Sequence, residues 1–170
     1  MYSITRRIEI DAGHRVMTHG SKCANFHGHR YVVLATAGAG YLHSSGDQKD
    51  MVIDFGFMKG VMMQHIHDPC DHAMILCADD PWRFSFFESI SVCDEVTNRV
   101  KTEGAMAIDS GVSKGRLYIV PFIPTAEKLA EHWFHRMQKG VVEASRGIAT
   151  LLHVEVYETP NCVARFPREA

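Results

Sequence analysis

Cys23-Ala24-Asn25-Phe26-His27-Gly28-His29, with the apolar run Tyr31-Val32-Val33-Leu34-Ala35 behind it, is the stretch from which the rest of the chain can be ordered. If that run is a strand, its side chains alternate between two faces, and His27 and His29 project from the same side. The glycine between them leaves room. Two imidazoles on one face supply two of the three protein ligands of a catalytic zinc site. His14 is the candidate third ligand, because it ends an earlier alternation in which Ile8, Ile10, Ala12 and His14 share a face. Two neighbouring strands then bring three histidines to one point, with the Cys23 thiol shortly before the paired ligands.

A closed structural site, completed by the Cys23 thiolate, is the main physical competitor. Structural zinc usually organises small domains through cysteine-rich knuckles, and no Cys-x-x-Cys pair occurs here. A cupin-type site also begins with His-x-His, but it wants a carboxylate where Val33 stands. An amidohydrolase barrel needs on the order of 250 residues, more than the 170 of this chain.

That length suits a single domain, 1–170, with a real core. A formal charge of −2 gives no basic surplus for nucleic acid, although eleven histidines make the charge sensitive to mild acid. The start Met1-Tyr2-Ser3-Ile4-Thr5-Arg6-Arg7 has no apolar signal core behind it, and no segment approaches a membrane span. A cytoplasmic protein with no membrane partner is expected. The cysteines at 23, 70, 77, 93 and 162 are odd in number and irregularly spaced, which favours reduced thiols over a disulfide framework.

In chain order, residues 2–14 read as a strand, 15–26 as a polar loop and 29–37 as a second strand. Residues 38–50 form a glycine-broken connection without a phosphate-cradling signature. Met51-Val52-Ile53 reads as a short strand. Asp54 then caps a helix with Phe57, Met58, Val61, Met62 and Ile66 on its apolar face, stopped at Pro69. Phe86, Ile90, Cys93, Val96 and Val100 keep helical spacing, residues 104–115 read as loop, and Leu117-Tyr118-Ile119-Val120 is extended. Thr125 is the expected N-cap of a helix with Leu129, Trp133, Phe134, Met137 and Val141 buried. Leu152, Val154 and Val156 alternate as a strand with Glu158 on the same face, and 162–166 reads as a last strand. The layout is α+β: antiparallel strands with two main helices on one side.

Asp11-Ala12-Gly13-His14-Arg15, Cys23-x-x-x-His27-Gly28-His29, Val52-Ile53-Asp54-Phe55, Asp71-His72, Pro124-Thr125-Ala126-Glu127 and Glu158-Thr159 span most of the chain. In that order they resemble the 6-pyruvoyl-tetrahydropterin synthase family. The three-residue gap between the cysteine and His-Gly-His resembles its 6-carboxytetrahydropterin synthase branch, which feeds 7-deazaguanine (queuosine) synthesis. The chain departs from compact members in a longer segment at 78–116, and in Cys70 where a leucine commonly precedes Asp-His.

The resemblance implies the tunnelling fold, in which the sheets of several subunits close a barrel and pterin pockets lie at subunit interfaces. The implied assembly is a homo-oligomer, a hexamer made of two trimers; barrel closure removes exposed strand edges. It also implies Zn2+ on His14, His27 and His29, and 7,8-dihydroneopterin triphosphate as substrate. The carboxy branch releases triphosphate and acetaldehyde. Cys23 would serve as base once a nearby cation favours its thiolate. Asp71 and His72 would form an acid relay. Glu158 would accept the paired ring and amino N–H donors of the pterin, with Thr125 and Glu127 assisting. At an interface, the zinc histidines and Glu158 need not come from one chain. Cys77, Cys93 and Cys162 read as packing thiols; His65, His67, His132, His135 and His153 read as surface or helix-face residues. A pyruvoyl-type synthase or promiscuous pterin lyase is the close alternative, and a non-catalytic zinc protein the distant one.

Overall fold

The computed structural model describes residues 1–112 and 114–167; positions 113 and 168–170 of the expected domain lie outside the described residues. Its centre is the pair β1 (Tyr2–His14) and β2 (His27–Ala39), antiparallel from Tyr2 opposite Ala39 to His14 opposite His27. The alternation foreseen in both strands holds. Ile8, Ile10, Ala12 and His14 are buried on one face with Tyr31, Val33, Ala35 and Ala37. Next to β2 lie β6 (Thr150–Thr159) and then β7 (Cys162–Phe166), both antiparallel.

On the other side of β1 the sheet is mixed. β3 (Ala73–Cys77) joins β1 in parallel, β5 (Arg116–Val120) joins β3 in parallel, and β4 (Met106–Asp109) pairs antiparallel with β5. The seven-stranded order is β4-β5-β3-β1-β2-β6-β7. An antiparallel expectation therefore describes β1, β2, β6 and β7, but not the β1–β3–β5 junction. Parallel strands are covered on both faces and read as unbroken apolar runs. Ala73-Met74-Ile75-Leu76-Cys77 is such a run, which is why alternation did not reveal it. β4 lies within 104–115, read from the sequence as loop.

α1 (Phe55–Met62) starts where expected: the Asp54 carboxylate accepts hydrogen bonds from the Gly56 and Phe57 N–H groups. The helix does not stop at Pro69. It widens into a π turn over Met63–His67 and continues as α2 (Asp68–Cys70), whose first turn holds the proline where a missing N–H costs least. Met58, Val61, Met62 and Ile66 are buried, but Phe57 is 43% exposed. Met51-Val52-Ile53 forms no strand; the Met51 carbonyl accepts the His43 N–H, and Val52 and Ile53 tuck into the core.

α4 (Ala126–Ala144) buries Leu129, Trp133, Phe134, Met137 and Val141, as its spacing predicts. It packs with α1 over the β1–β2–β6 face. α3 (Ile90–Glu103) covers the opposite face of β3 and β5, where Val100 meets Leu76, Ala78, Leu117 and Ile119 in a second core. The 78–116 segment is thus a small lobe of its own. In β6 a bulge alters the expected parity: Ala37 pairs with Leu151 and Thr36 with His153. Leu151 points inward, and Leu152 packs over Gly38 instead of joining Val154 and Val156.

Candidate metal centre and pocket

The end of the β1–β2 pair is where the three histidines meet. His14 lies directly opposite His27, and His29 follows two residues along the same face. One nitrogen from each can be chosen so that all three lie within 4.8 Å of one another; among the described residues this is the only such group. Gly28 lies opposite Gly13, and a Cβ on Gly28 would stand 3.0 Å from the Ala12 carbonyl oxygen. The glycine is what lets the two strands approach here.

Hydrogen bonds fix which nitrogens face the centre. His14 Nδ1 donates to the Pro124 carbonyl at 2.8 Å, and His27 Nδ1 donates to the Asn25 carbonyl at 2.8 Å. Each leaves a bare Nε2. The Nε2 atoms of His14 and His29 are buried with no hydrogen-bond partner among the described residues. Burial pushes the His14 pKa down to about 4, with the His27 and His29 charges adding and the Pro124 carbonyl opposing. Burial also lowers that of His29, again with His27 adding. Neutral imidazoles with unshared, converging nitrogens are what a zinc-type cation requires, and carbonyl-anchored Nδ1 groups are the usual second shell. The residues fit the metal. Beneath them Tyr31 stacks edge-on, 5.7 Å from His14 and 5.4 Å from His29. Burial, with the Glu158 charge adding, raises its phenol above the ordinary range and keeps it protonated.

The histidines open into a cavity of about 540 Å³ that also receives Cys23, Glu158, Thr125 and Glu127. Cys23 sits half-exposed in a single turn, Lys22–Ala24, and its carbonyl accepts the Val16 N–H at 2.8 Å. Glu158 Oε1 is 3.8 Å from His14 Nε2. Burial raises the Glu158 pKa and the Glu127 carboxylate raises it further, against the pull of His27. Thr125 caps α4 by accepting the Lys128 N–H at 3.4 Å. The metal set and Glu158 therefore line one cavity of a single chain.

Asp71 and His72 are not in that cavity. His72 borders a second hollow of about 630 Å³, which touches the first only at His29. Asp71 Oδ1 accepts the Asp11 N–H at 3.0 Å, and its Oδ2 stands 3.9 Å from His72 Nε2 and 3.7 Å from His67 Nε2. His72 adopts φ 55 and leaves its side chain 80% exposed. Sequence reasoning missed the polar and thiol groups that His19, Lys22 and Cys162 add to the first cavity. Cys162 was read as a packing thiol but is exposed; its pairing with Thr159 in the β6–β7 hairpin, one residue from Glu158, was the available signal. His132, read as a surface or helix-face residue, is held beneath Tyr118 by a 2.7 Å hydrogen bond.

Fold and site together define a tunnelling-fold protein with a three-histidine centre. The chain belongs to the 6-pyruvoyl tetrahydropterin synthase family, whose sequence profile matches residues 3–169. It is similar to the 6-carboxy-5,6,7,8-tetrahydropterin synthase of Rickettsia conorii, 33% identical over 162 residues covering 95% of this chain and 97% of that one. The protein of the same name from Haemophilus influenzae is 33% identical over 166 residues, covering 98% and 99%. The fold is shared with an uncharacterized protein from Wolinella succinogenes, TM-score 0.72 at 19% identity over 99% and 98% of the two chains. It is shared also with the 6-pyruvoyl tetrahydropterin synthase of Plasmodium vivax, TM-score 0.59 at 14% identity over 97% of each.

Proposed function

We propose that this protein converts 7,8-dihydroneopterin triphosphate to 6-carboxy-5,6,7,8-tetrahydropterin, releasing acetaldehyde and triphosphate, in 7-deazaguanine (queuosine) synthesis. The observation that carries the reading is one cavity holding bare nitrogens of His14, His27 and His29 together with a half-exposed thiol and a half-buried carboxylate. Relatives named 6-carboxy-5,6,7,8-tetrahydropterin synthase, matched over nearly their whole length, support the carboxy product.

Zinc held by the three histidines supplies Lewis-acid stabilisation of charge developing on side-chain oxygens of the substrate. Cys23, as thiolate, takes a proton from the substrate side chain. Lys22 on the same wall supplies positive charge that suits the triphosphate. Glu158 binds the pterin's adjacent N–H donors, and Glu127 and Thr125 border that end of the cavity. Asp71 and His72 move protons from a neighbouring copy, because within one chain neither lines the histidine cavity and His72 faces a different hollow. A homo-oligomer, a dimer of trimers, would bring the two hollows together and pair the sheet edges at β4 and β7. Among the described residues no helix is long and apolar enough to cross a membrane, and we place the reaction in the cytoplasm.

Zinc-loaded protein incubated with dihydroneopterin triphosphate should yield the carboxy pterin and acetaldehyde in equal amounts. A 6-pyruvoyl product without acetaldehyde would move the assignment to the pyruvoyl synthases. No pterin turnover at all would leave a non-catalytic zinc protein.

A further inference from the structure

The 78–116 lobe reaches across to the loop that carries Cys23 and holds it at both ends. At the first end, Arg15 follows the metal-facing His14, and its Nε lies 3.3 Å from Asp80 Oδ2. Both side chains are removed from water, Asp80 to 1% and Arg15 to 11% exposure. Asp80 divides its carboxylate between two tasks. Oδ1 caps the 3-10 turn Pro81–Phe86 by accepting the Trp82 N–H at 2.8 Å, and Oδ2 faces Arg15. One residue past Arg15, the Val16 N–H bonds the Cys23 carbonyl.

At the second end, Phe26 directly precedes His27. Its ring meets Trp82 and Phe86 edge-on at 6.0 and 6.1 Å, and the Arg15 guanidinium lies 5.2 Å from its centre. One ion pair and one aromatic cluster thus tie residues 15 and 26 to the same turn. Cys23 lies on the span between them.

We infer that the Asp80–Arg15 pair, with Phe26 seated against Trp82 and Phe86, makes the 78–116 lobe the support that sets the position of the Cys23 thiol over the metal histidines. Asp80 and Phe26 are positioning residues; neither lines the cavity. A buried ion pair holds its partners in one geometry, and losing one charge leaves the other uncompensated. A thiol displaced by a fraction of an ångström loses rate without losing the binding of remote parts of the substrate.

The test is Asp80→Asn, whose amide oxygen can still cap Trp82 while the charge opposite Arg15 is gone. The variant should keep the wild-type zinc content, lose about tenfold or more in kcat and change KM less than about threefold. In zinc-free protein, peptide-resolved alkylation of Cys23 by iodoacetamide should change rate by about threefold or more, with exposed Cys162 as internal reference. Wild-type kcat together with a wild-type Cys23 alkylation rate would overturn the inference. If Asp80→Asn does not fold, Phe26→Leu decides by the same two readouts, since Phe26 is 40% exposed and outside both cores. The kcat arm rests on the reading of Cys23 as base, and the alkylation arm does not. Should Cys23→Ala retain turnover, that reading fails while an altered alkylation rate still supports the clamp.

Discussion

His14 Nδ1 lies 2.8 Å from the carbonyl oxygen of Pro124, so the last residue of β1 is fixed by the turn that leads into α4. That bond orients the ring and forces its bare Nε2 toward His27 and His29, where no protein donor meets it. Metal content should follow. Purified protein should carry a single zinc per chain, and His29→Ala should lose it. X-ray absorption should show nitrogen and oxygen neighbours only; a sulfur at about 2.3 Å would make Cys23 a ligand and the site structural.

Cys23→Ala should keep zinc and oligomeric state while turnover falls by at least about a hundredfold, a typical share for a proton-transferring group. Single-turnover kinetics with metal content measured on the same sample would check it. Near wild-type rate would remove Cys23 from the reaction.

Much of this site was legible in the sequence because strand parity is a strict code. His14 and Glu158 each close an apolar alternation and His27 and His29 open one, and β1, β2 and β6 put them where that alternation pointed. Parity failed where the backbone broke its own period, at the Leu152 bulge. It was silent in β3, where both faces of the strand are covered, while β5 was legible only as an unbroken apolar run. The placement of Asp71 and His72 could not be read locally, since it depends on β3 running parallel to β1 and carrying the preceding turn to the far side of Gly28. Nor could a single strand pattern show that the 78–116 lobe would cover the opposite face of the sheet. That outcome follows from the second apolar face of β3 and β5, buried against Val100 of α3.

Glu158 stands half-buried, with its pKa raised by burial and by Glu127. A carboxylate held this way is a strong acceptor only while a donor pair faces it. Glu158→Gln leaves that pair short of a partner, at a cost on the order of 2–5 kcal/mol. Titration calorimetry with a non-reactive pterin should show affinity lower by about tens of times or more. An unchanged Kd would place the pterin elsewhere.

Acid should weaken the metal-free fold in a defined window. Burial, with Arg136 and His135 adding, pushes His132 down to about 4 from an ordinary 6.5. Between those values the unfolded chain binds more protons than the folded one, so stability is complete above about pH 6.5 and falls as pH drops toward about 4. His14, also lowered to about 4, acts in the same direction. His132→Gln keeps a polar partner for the Tyr118 hydroxyl and should shrink the loss between about pH 7 and pH 4.5 in urea unfolding, leaving the His14 share. An acid loss equal to wild type would show that His132 does not titrate with folding.

The central claim is that one catalytic site joins the histidine centre of one chain to Asp71 and His72 of another. Mixed oligomers test it most directly. His29→Ala lacks the metal set and Asp71→Asn lacks the relay, so each alone should be nearly inactive. Unfolded together in equal amounts and refolded, they should recover up to about a quarter of wild-type activity, since that share of heterologous interfaces regains an intact set. Mixed oligomers verified by mass spectrometry that recover no activity would contradict the account and return Asp71 and His72 to a site within a single chain.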